Sequence, residues 1–404
     1  MPTYLAPGVF VEEVPSAVKP IAGVGTSTAA FVGIVADNVV MPLRPGASET
    51  PTADDYYKVA AALDPEPINS WLEFEQKFGE IQTGNQYLAH AVYGYFNNGG
   101  TRCWITRVTS VDDIDDAIDT FDAIDEITIV AAPLPPDTAQ TALNAIHDKL
   151  VSHCMLLEDR VAILDSARDI ADGNLVKSED ATGIWRPGAN PKGYGAFYFP
   201  WIQVADPLQP AGTRIAVPPS GHMAGIYARS DALRGVHKAP ANEVILGALG
   251  VQYPVSKILQ GSLNPLGINV IRSFNGTIKI WGARTLASDP AGDPEWTYIN
   301  VRRLFNFLRE SIDQGTQWVV FEPNTPELWA KIRRNITAFL TTVWESGALF
   351  GNTAEEAFFV RCDETTNPPA VRDLGQVVTE IGVSVVKPAE FVIFRLSQWA
   401  GPGQ

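Results

Sequence analysis

Apolar residues recur along this chain at two spacings, one typical of strands and one typical of helices. Runs of β-branched and aromatic residues between glycines, prolines and polar clusters predict strands, and apolar residues three and four positions apart predict helices. In the first two thirds of the chain, strands are predicted at 23–35, 102–108, 127–132, 160–165, 195–202, 268–272 and 278–281. Helices are predicted between them at 70–78, 87–96, 138–156 and 223–233. Because the two element types alternate, this part is predicted to be an α/β domain.

The stretch from 127 to 165 predicts part of the topology. It contains a strand, a helix and a second strand, which is a βαβ unit and predicts parallel strands joined by a right-handed crossover. In the last third, helices are predicted at 300–313 and 326–344, and strands at 317–321, 357–361, 375–380 and 382–386. Pro326 at the start of the long helix and Gly347 after its end are the residues expected at those points. This part is predicted to be a separate α+β layer.

Both ends of the chain have the composition of adhesive β-strands. Residues 4–14 and 389–399 carry apolar side chains on extended segments, and the second segment carries them on both faces. Such a terminus is an aggregation hazard unless another strand pairs with its open backbone edge. We therefore predict extended arms that add strands to neighbouring copies, through the contact residues Val9, Phe10, Val11, Val14, Phe391, Val392, Ile393, Phe394 and Leu396.

Composition excludes several classes of protein. A chain of 404 residues exceeds the usual size of a single core, so two or three domains are expected. A net charge of −16 argues against nucleic acid or an anionic membrane as the main partner. The N-terminus lacks a signal peptide pattern and no stretch approaches the roughly 20 apolar residues that span a bilayer, so we expect synthesis in the cytoplasm without direct membrane insertion. Cys103, Cys154 and Cys362 lack paired spacing and are expected to be buried thiols.

One short string is compared with a hydrolase. The segment 25–29 resembles the nucleophile segment of subtilisin-type proteases, with Asp165 and His222 as candidate partners of Ser27. Those proteases place Asp first, then His, then Ser along the chain, and this order differs. Ser27 also falls in a predicted strand rather than at a strand-to-helix turn. A strand serine is therefore favoured, and a serine hydrolase is the weaker alternative.

Other patterns that carry chemistry are absent from the sequence. The five histidines include no HExxH spacing, the aspartates between 112 and 125 lack the glycine of an EF-hand loop, and no glycine-rich phosphate loop follows a strand. We therefore predict no catalytic residue, metal or cofactor. Two basic clusters, at 302–303 and 331–334, lie on predicted helices and are either solvated faces or docking points for an acidic surface.

The strongest signal is a resemblance that runs through nearly the whole chain. Residues 7–16 and 20–33 are similar to the start of contractile tail sheath proteins of bacteriophages and phage-tail-like injection particles. Further blocks that resemble the same family lie at 96–100, 217–229, 235–242, 263–272, 281–286, 300–305, 320–324 and 388–391. Their number and order make the resemblance specific.

The resemblance implies a structural subunit that polymerises as a helical sheath around an inner tube and contracts to drive that tube through a target envelope. It implies a subtilisin-like α/β core without protease activity. The expected divisions are an N-terminal linking arm at 1–22, the core at 23–290 with a loop or small insertion at about 36–86, a C-terminal sheath domain at 291–387 and a linking arm at 388–404.

The resemblance also implies partners. These are further copies of the chain, an inner tube protein, and baseplate and terminator or cap proteins, in a phage tail or a phage-tail-like particle. Charge and family analogy together predict inner-tube contacts at Arg302, Arg303, Lys331, Arg333 and Arg334. A sheath-like cap or a baseplate-proximal component of the same particle is the alternative function.

Overall fold

A computed structural model describes residues 20–170, 179–180, 183–184, 186–288 and 294–395. Contacts divide these residues into two compact units. Unit 1 contains residues 20–23 and 310–385, and unit 2 contains residues 24–309 and 386–395. The predicted arm residues Val9, Phe10, Val11, Val14 and Leu396 lie outside the described residues. The predicted division into two domains and two arms stays a prediction.

The described residues form fifteen strands. These are β1 (Ala29–Ile34), β2 (Glu66–Ile68), β3 (Cys103–Val108), β4 (Ile129–Ala131), β5 (Val161–Asp165), β6 (Glu179–Asp180), β7 (Gly183–Ile184), β8 (Gly195–Phe199), β9 (Ile202–Ala205), β10 (Arg214–Val217), β11 (Gly250–Val251), β12 (Ile268–Phe274), β13 (Thr277–Ile280), β14 (Phe358–Arg361) and β15 (Glu380–Val383).

Ten α-helices occur in the same residues. They are α1 (Trp71–Phe78), α2 (Gln86–Asn97), α3 (Ile114–Asp119), α4 (Gln140–Leu157), α5 (Ser220–Arg234), α6 (Lys257–Leu263), α7 (Ile299–Thr316), α8 (Pro326–Glu345), α9 (Ala354–Ala357) and α10 (Pro369–Arg372). Within the described ranges, no helix combines the length and the apolar composition that a membrane span requires.

Unit 2 is built on a sheet of eight strands in the order β13-β12-β8-β5-β4-β1-β3-β2. The six central strands are parallel, and an antiparallel strand lies at each edge. Strands β4 and β5 are parallel neighbours joined through α4, so the predicted βαβ unit is confirmed. A parallel sheet of this kind needs helices on both faces to bury its apolar strands.

The central strands alternate their side chains between two hydrophobic cores. Phe31 and Ile163 pack on one face, in the core that also contains apolar residues of α2 and α5. Val32 and Leu164 point to the other face, in the core that contains residues of α3 and α4. This alternation follows from the two-residue period of a strand. The predicted α/β class is therefore confirmed for unit 2.

Two glycines allow α5 to lie directly against α2. A Cβ atom added at Gly221 would lie 2.2 Å from the carbonyl oxygen of Ala91, and one added at Gly225 would lie 2.4 Å from that of Tyr95. The two glycines are four residues apart and therefore share one face of α5. Since backbone atoms cannot move aside as a side chain can, the approach of the two helices requires glycine at these positions.

Unit 1 contains α8 and a small antiparallel sheet. Helix α8 starts after Thr325, whose side chain accepts a hydrogen bond from the backbone N–H of Leu328, and Gly347 with φ of 82° follows its end. The predicted start at Pro326 and stop near Gly347 are confirmed. Strands β14 and β15 pair in the register Phe358↔Val383 to Arg361↔Glu380.

Two strands predicted in the last third are wrong. Residues Gln317–Val319 form a 3₁₀ turn, because the N–H groups of Val320 and Glu322 bond to carbonyls three residues back. Residues 375–379 form no strand, and the N–H of Val378 bonds instead to the side chain of Asn367. Valine and aromatic residues favour strands only where a neighbouring strand and a packing surface are present.

The strand predicted at 195–202 is interrupted. Strand β8 ends at Phe199 and lies in the eight-stranded sheet, whereas β9 begins at Ile202 and pairs with β10 and β11 in a separate sheet. Pro200 lies at the break and has no N–H to donate to a ladder. The three cysteines are buried free thiols, as predicted.

Candidate subunit interface

The last described residues expose four consecutive apolar side chains. Phe391, Val392, Ile393 and Phe394, which we call the exposed C-terminal segment, are 68–84% exposed. The segment has no regular secondary structure, and in the described part of the chain no strand pairs with it. A contiguous apolar run on a surface marks a protein contact or an aggregation site. The predicted strand therefore has no partner strand within the described chain.

Directly before this segment, the carboxylate of Glu390 is held by four side-chain donors, which we call the Glu390 anchor. Arg284 donates from Nε to Oε1 at 2.9 Å and from Nη2 to Oε2 at 2.7 Å. Asn264 Nδ2 donates at 2.6 Å and the Tyr298 hydroxyl at 2.8 Å. A bidentate arginine–carboxylate pair of this kind is among the stronger hydrogen-bonded contacts in proteins.

These bonds set the charge of the anchor. Burial by itself raises the pKa of the Glu390 carboxyl, but the hydrogen bonds from Arg284, Asn264 and Tyr298 outweigh it and the pKa lies below its usual value. Burial, together with the Glu390 carboxylate, raises the pKa of Tyr298 to about 12. At neutral pH, Glu390 is therefore an anion and Tyr298 a hydroxyl donor.

The two-stranded sheet of unit 1, which we call the β14–β15 sheet, has open backbone edges. Among the described residues its order contains no third strand, and one isolated bridge joins Leu349 and Val385 beside it. Phe359 of β14 is 53% exposed and nearby Phe350 is 70% exposed. An edge with exposed aromatic side chains can accept an added strand.

The basic residues predicted on α8 lie on its solvent face. Lys331, Arg333 and Arg334 are all exposed. Arg333 donates a hydrogen bond to the carbonyl oxygen of Cys362 at 3.2 Å. On the opposite face, buried side chains such as Leu328 and Ile332 face the interior. All three cations are therefore exposed at the surface of α8 and do not pack in the core.

Arg302 and Arg303 do not belong to this surface. Both are buried in α7, and the guanidinium of Arg302 lies 4.1 Å from the ring centroid of Trp296 and 4.6 Å from that of Tyr194. Burial lowers the pKa of Arg302. Arg303 forms two hydrogen bonds with the carboxylate of Asp231. The predicted inner-tube contact of Arg302 and Arg303 does not fit this burial.

The candidate triad is not assembled. Ser27 precedes the start of β1, whereas Asp165 is the last residue of β5. Because these strands are parallel, the two residues lie at opposite ends of the strands, roughly 20 Å apart along the strand direction. Asp165 instead accepts a hydrogen bond from the backbone N–H of Ser220 at 2.8 Å. The sequence did not single out Ser220, which follows two prolines and lies three residues before the helix predicted at 223–233; in the structure it opens α5.

The groups around Asp165 are closed off from solvent. Asp165, Ser220 and His222 are 5%, 0% and 2% exposed. Burial raises the pKa of Asp165 to about 7 and lowers the pKa of His222 to about 3. The Asp165 side chain therefore caps the N-terminus of α5 in the interior, where it is closed off from solvent.

Asp119, Asp122 and His153 form a cluster with the geometry of a weak metal site, since their ligand atoms lie within 4.8 Å of one another. Cations of the chain already occupy this cluster. Lys149 Nζ lies 2.7 Å from Asp119, and Arg160 Nη1 lies 3.4 Å from His153 Nε2. The cluster is therefore an ion-pair network among side chains of the chain itself.

Comparison with known proteins links these features. A family described as the phage tail sheath protein central domain matches residues 108–286, and one described as the phage tail sheath C-terminal domain matches residues 291–398. The helical sheath of the anti-feeding prophage in its contracted state is 30% identical, with 98% of this chain and 100% of that chain covered and a TM-score of 0.74. The chain belongs to the phage tail sheath family.

Two further relatives support the assignment. A chain of the anti-feeding prophage baseplate is 31% identical, with 98% of this chain and 99% of that chain covered and a TM-score of 0.73. A putative prophage major tail sheath protein of Pseudomonas aeruginosa strain UCBPP-PA14 is 29% identical over 210 residues, which is 50% of this chain and 51% of the relative. The sheath chain spans about half or less of the length of the curated relatives that it matches.

The resemblance stated from the sequence is thus confirmed. The match to the sheath C-terminal domain includes α8, the β14–β15 sheet, Glu390 and the exposed C-terminal segment, so the candidate interface belongs to the part that the family model describes. A tail sheath is a structural component, and membership of this family favours a non-enzymatic role.

Proposed function

We propose that this chain is the subunit of a contractile sheath, which polymerises as a helical tube around an inner tube and contracts to drive that tube through a target envelope. The observation that carries the proposal is the full-length likeness to the helical sheath of the anti-feeding prophage in its contracted state. The proposed core is subtilisin-like without protease activity, in keeping with the separation of Ser27 from Asp165. The proposed divisions are an N-terminal linking arm at 1–22, the core at 23–290, a C-terminal sheath domain at 291–387 and a C-terminal linking arm at 388–404.

Strand addition is the proposed link between copies. The exposed C-terminal segment of one copy would extend the β14–β15 sheet of another, and the arm that contains Val9, Phe10, Val11 and Val14 would add a second strand. A short added strand forms ~4 backbone hydrogen bonds of ~1 kcal/mol each, and each large apolar side chain that it buries adds roughly 1.5 to 3 kcal/mol. Ordering the arm costs about 1 to 2 kcal/mol per residue.

One such link is moderately stable, and many links in a closed lattice reinforce one another through effective concentration. If the folded part of each copy rotates while the added strands stay paired with the sheets of neighbouring copies, the tube can shorten without coming apart. The extended tube is then metastable, and contacts made only after contraction supply the free energy of the stroke. No nucleotide is needed for this transition.

The inner tube is the second proposed partner. Lys331, Arg333 and Arg334 are exposed cations of α8, and their charge would complement an acidic tube surface. Their exposure supports this role, whereas the burial of Arg302 and Arg303 argues against a contact through those two residues. Baseplate and cap proteins are the proposed partners at the two ends of the tube.

Electron microscopy of the purified full chain tests the proposal. We expect long striated tubes with a wide bore from the natural sequence. Val392→Asp and Phe394→Asp, both at exposed positions, should leave the fold intact and abolish tubes. Absence of tubes from the natural chain, or normal tubes from both variants, would overturn the proposed function. Rings that never elongate would instead indicate a cap or baseplate component.

A further inference from the structure

Arg284, the charged partner of Glu390, is also held by contacts that do not involve Glu390. The side chain of Asn269, which is fully buried, accepts a hydrogen bond from the backbone N–H of Arg284 and donates one to its carbonyl oxygen, both at 2.7 Å. Arg284 Nη1 also donates to the Ser288 hydroxyl at 3.0 Å. The backbone of Arg284 is therefore fastened to β12, and its guanidinium is oriented by contacts other than Glu390.

The residue that these side chains hold is adjacent to the exposed C-terminal segment in sequence. Glu390 is followed at once by Phe391, so no spacer separates the held carboxylate from the four apolar residues. Upstream, the carbonyl oxygen of Val386 accepts a hydrogen bond from Asn300 Nδ2 at 3.4 Å. Residues 387–390 therefore lie between two attachment points on unit 2.

We propose that Arg284, with Asn264 and Tyr298, is a positioning residue for assembly: it fixes the point at which the exposed C-terminal segment leaves unit 2 and so sets the distance to the neighbouring copy. This inference rests on the proposed function. The four residues of the exposed C-terminal segment span about 14 Å when fully extended. With Glu390 held, these residues can therefore reach a receiving strand edge only within about 14 Å of Glu390. With Glu390 released, residues 387–390 join the linker and the reach doubles to about 28 Å.

Because the Glu390 anchor fixes the residues directly before the exposed C-terminal segment, less conformational entropy is lost when that segment binds a neighbouring copy. Ordering each residue of a free linker costs free energy on association, whereas the Glu390 anchor orders its residues beforehand. The groups that face the Glu390 carboxylate are Arg284, Asn264 and Tyr298, of which only Arg284 carries charge at neutral pH. Removal of the glutamate charge therefore weakens the anchor without exposing a competing anion.

The test compares Glu390→Gln and Glu390→Ala with Glu49→Gln, which removes the same charge at an exposed loop position of unit 2. We expect unchanged thermal unfolding, faster hydrogen exchange at 387–395, and a critical concentration for tube formation raised at least tenfold, since the cost of ordering even one released residue corresponds to about a factor of ten. Tubes that do form should have irregular striation spacing. Glu49→Gln should behave as the natural chain does.

A charge exchange separates positioning from a merely structural role. Arg284→Glu combined with Glu390→Arg restores an ion pair and should recover regular tubes in part, whereas Arg284→Glu alone should not. Natural assembly and natural striation in both Glu390 variants would overturn the inference. In that case, loss of tubes in Val392→Asp would leave the proposed function standing, whereas natural tubes in Val392→Asp and Phe394→Asp would reject the proposed function itself.

Discussion

Arg303 and Asp231 form an ion pair in the interior of unit 2, with 2.6 Å between Nη2 and Oδ2. Their side chains are 3% and 7% exposed. The hydroxyl of Thr26 donates to the same carboxylate, and Arg303 donates to the carbonyl oxygen of Thr26, so the pair joins α7, α5 and the segment that enters β1. A buried pair with these extra bonds is satisfied only while both partners are present.

Arg303→Ala should therefore destabilise the fold strongly. It leaves the carboxylate of Asp231 buried without its cation, and loss of one partner of a buried pair costs about 3 to 5 kcal/mol. Urea unfolding measures the change. Lys331→Ala, at an exposed position of α8, is the control and should change stability by no more than about 0.5 kcal/mol. Equal effects of the two variants would contradict a structural role for Arg303.

Gly221→Ala should destabilise unit 2 through steric overlap. The added methyl group meets the backbone of Ala91 and forces α5 away from α2, and overpacking of this kind costs about 1 to 3 kcal/mol or more. Gly261→Ala in α6 is the matched control, because nothing lies within 4 Å of its added Cβ. There alanine should be neutral or stabilising by up to about 1 kcal/mol. Thermal unfolding distinguishes the two, and equal melting temperatures would refute the close helix contact.

Asp165→Asn should change how stability depends on pH. Burial raises the pKa of Asp165 to about 7 from 3.8, so the folded chain holds a proton that the unfolded chain has lost between these values. Stability contributed by this group is therefore complete below pH 3.8 and decreases as the pH rises to about 7, by an amount of the order of 4 kcal/mol.

Asparagine removes this titration and keeps an oxygen that can accept from Ser220. The variant should therefore gain stability relative to the natural chain as the pH rises from 4 to 8, measured by urea unfolding at each pH. The buried histidines titrate equally in both proteins and cancel in the difference. A pH-independent difference would show that Asp165 does not hold its proton.

Lys331→Glu should weaken co-assembly with an inner tube but leave sheath-only tubes. It reverses a charge on the proposed docking face, and attraction between exposed charges is screened beyond about 8 Å at physiological salt, so the defect should be largest at low salt. Lys257→Glu, an equal reversal at an exposed position of α6, is the control. Co-sedimentation with tube protein measures the effect. Equal binding by both variants at low salt would reject α8 as the docking face.

Local patterning was enough to predict most elements of this fold. The β4-α4-β5 unit and the limits of α8 follow from apolar period, proline and glycine, all of which act within a few residues. The strand predicted at 317–321 failed because strand propensity depends on a neighbour that the local sequence does not provide. Family resemblance, carried by ordered blocks along the chain, led to the proposed function.

The sequence by itself determined the α/β class, the βαβ unit, the family and the apolar run at Phe391–Phe394. Only the tertiary structure decided that Glu390 meets Arg284, a residue 106 positions away, and that Arg302 and Arg303 are buried. The reason is physical: helix and strand periods are set by neighbours along the chain, whereas an ion pair or a buried charge depends on which distant elements the sheet order brings together.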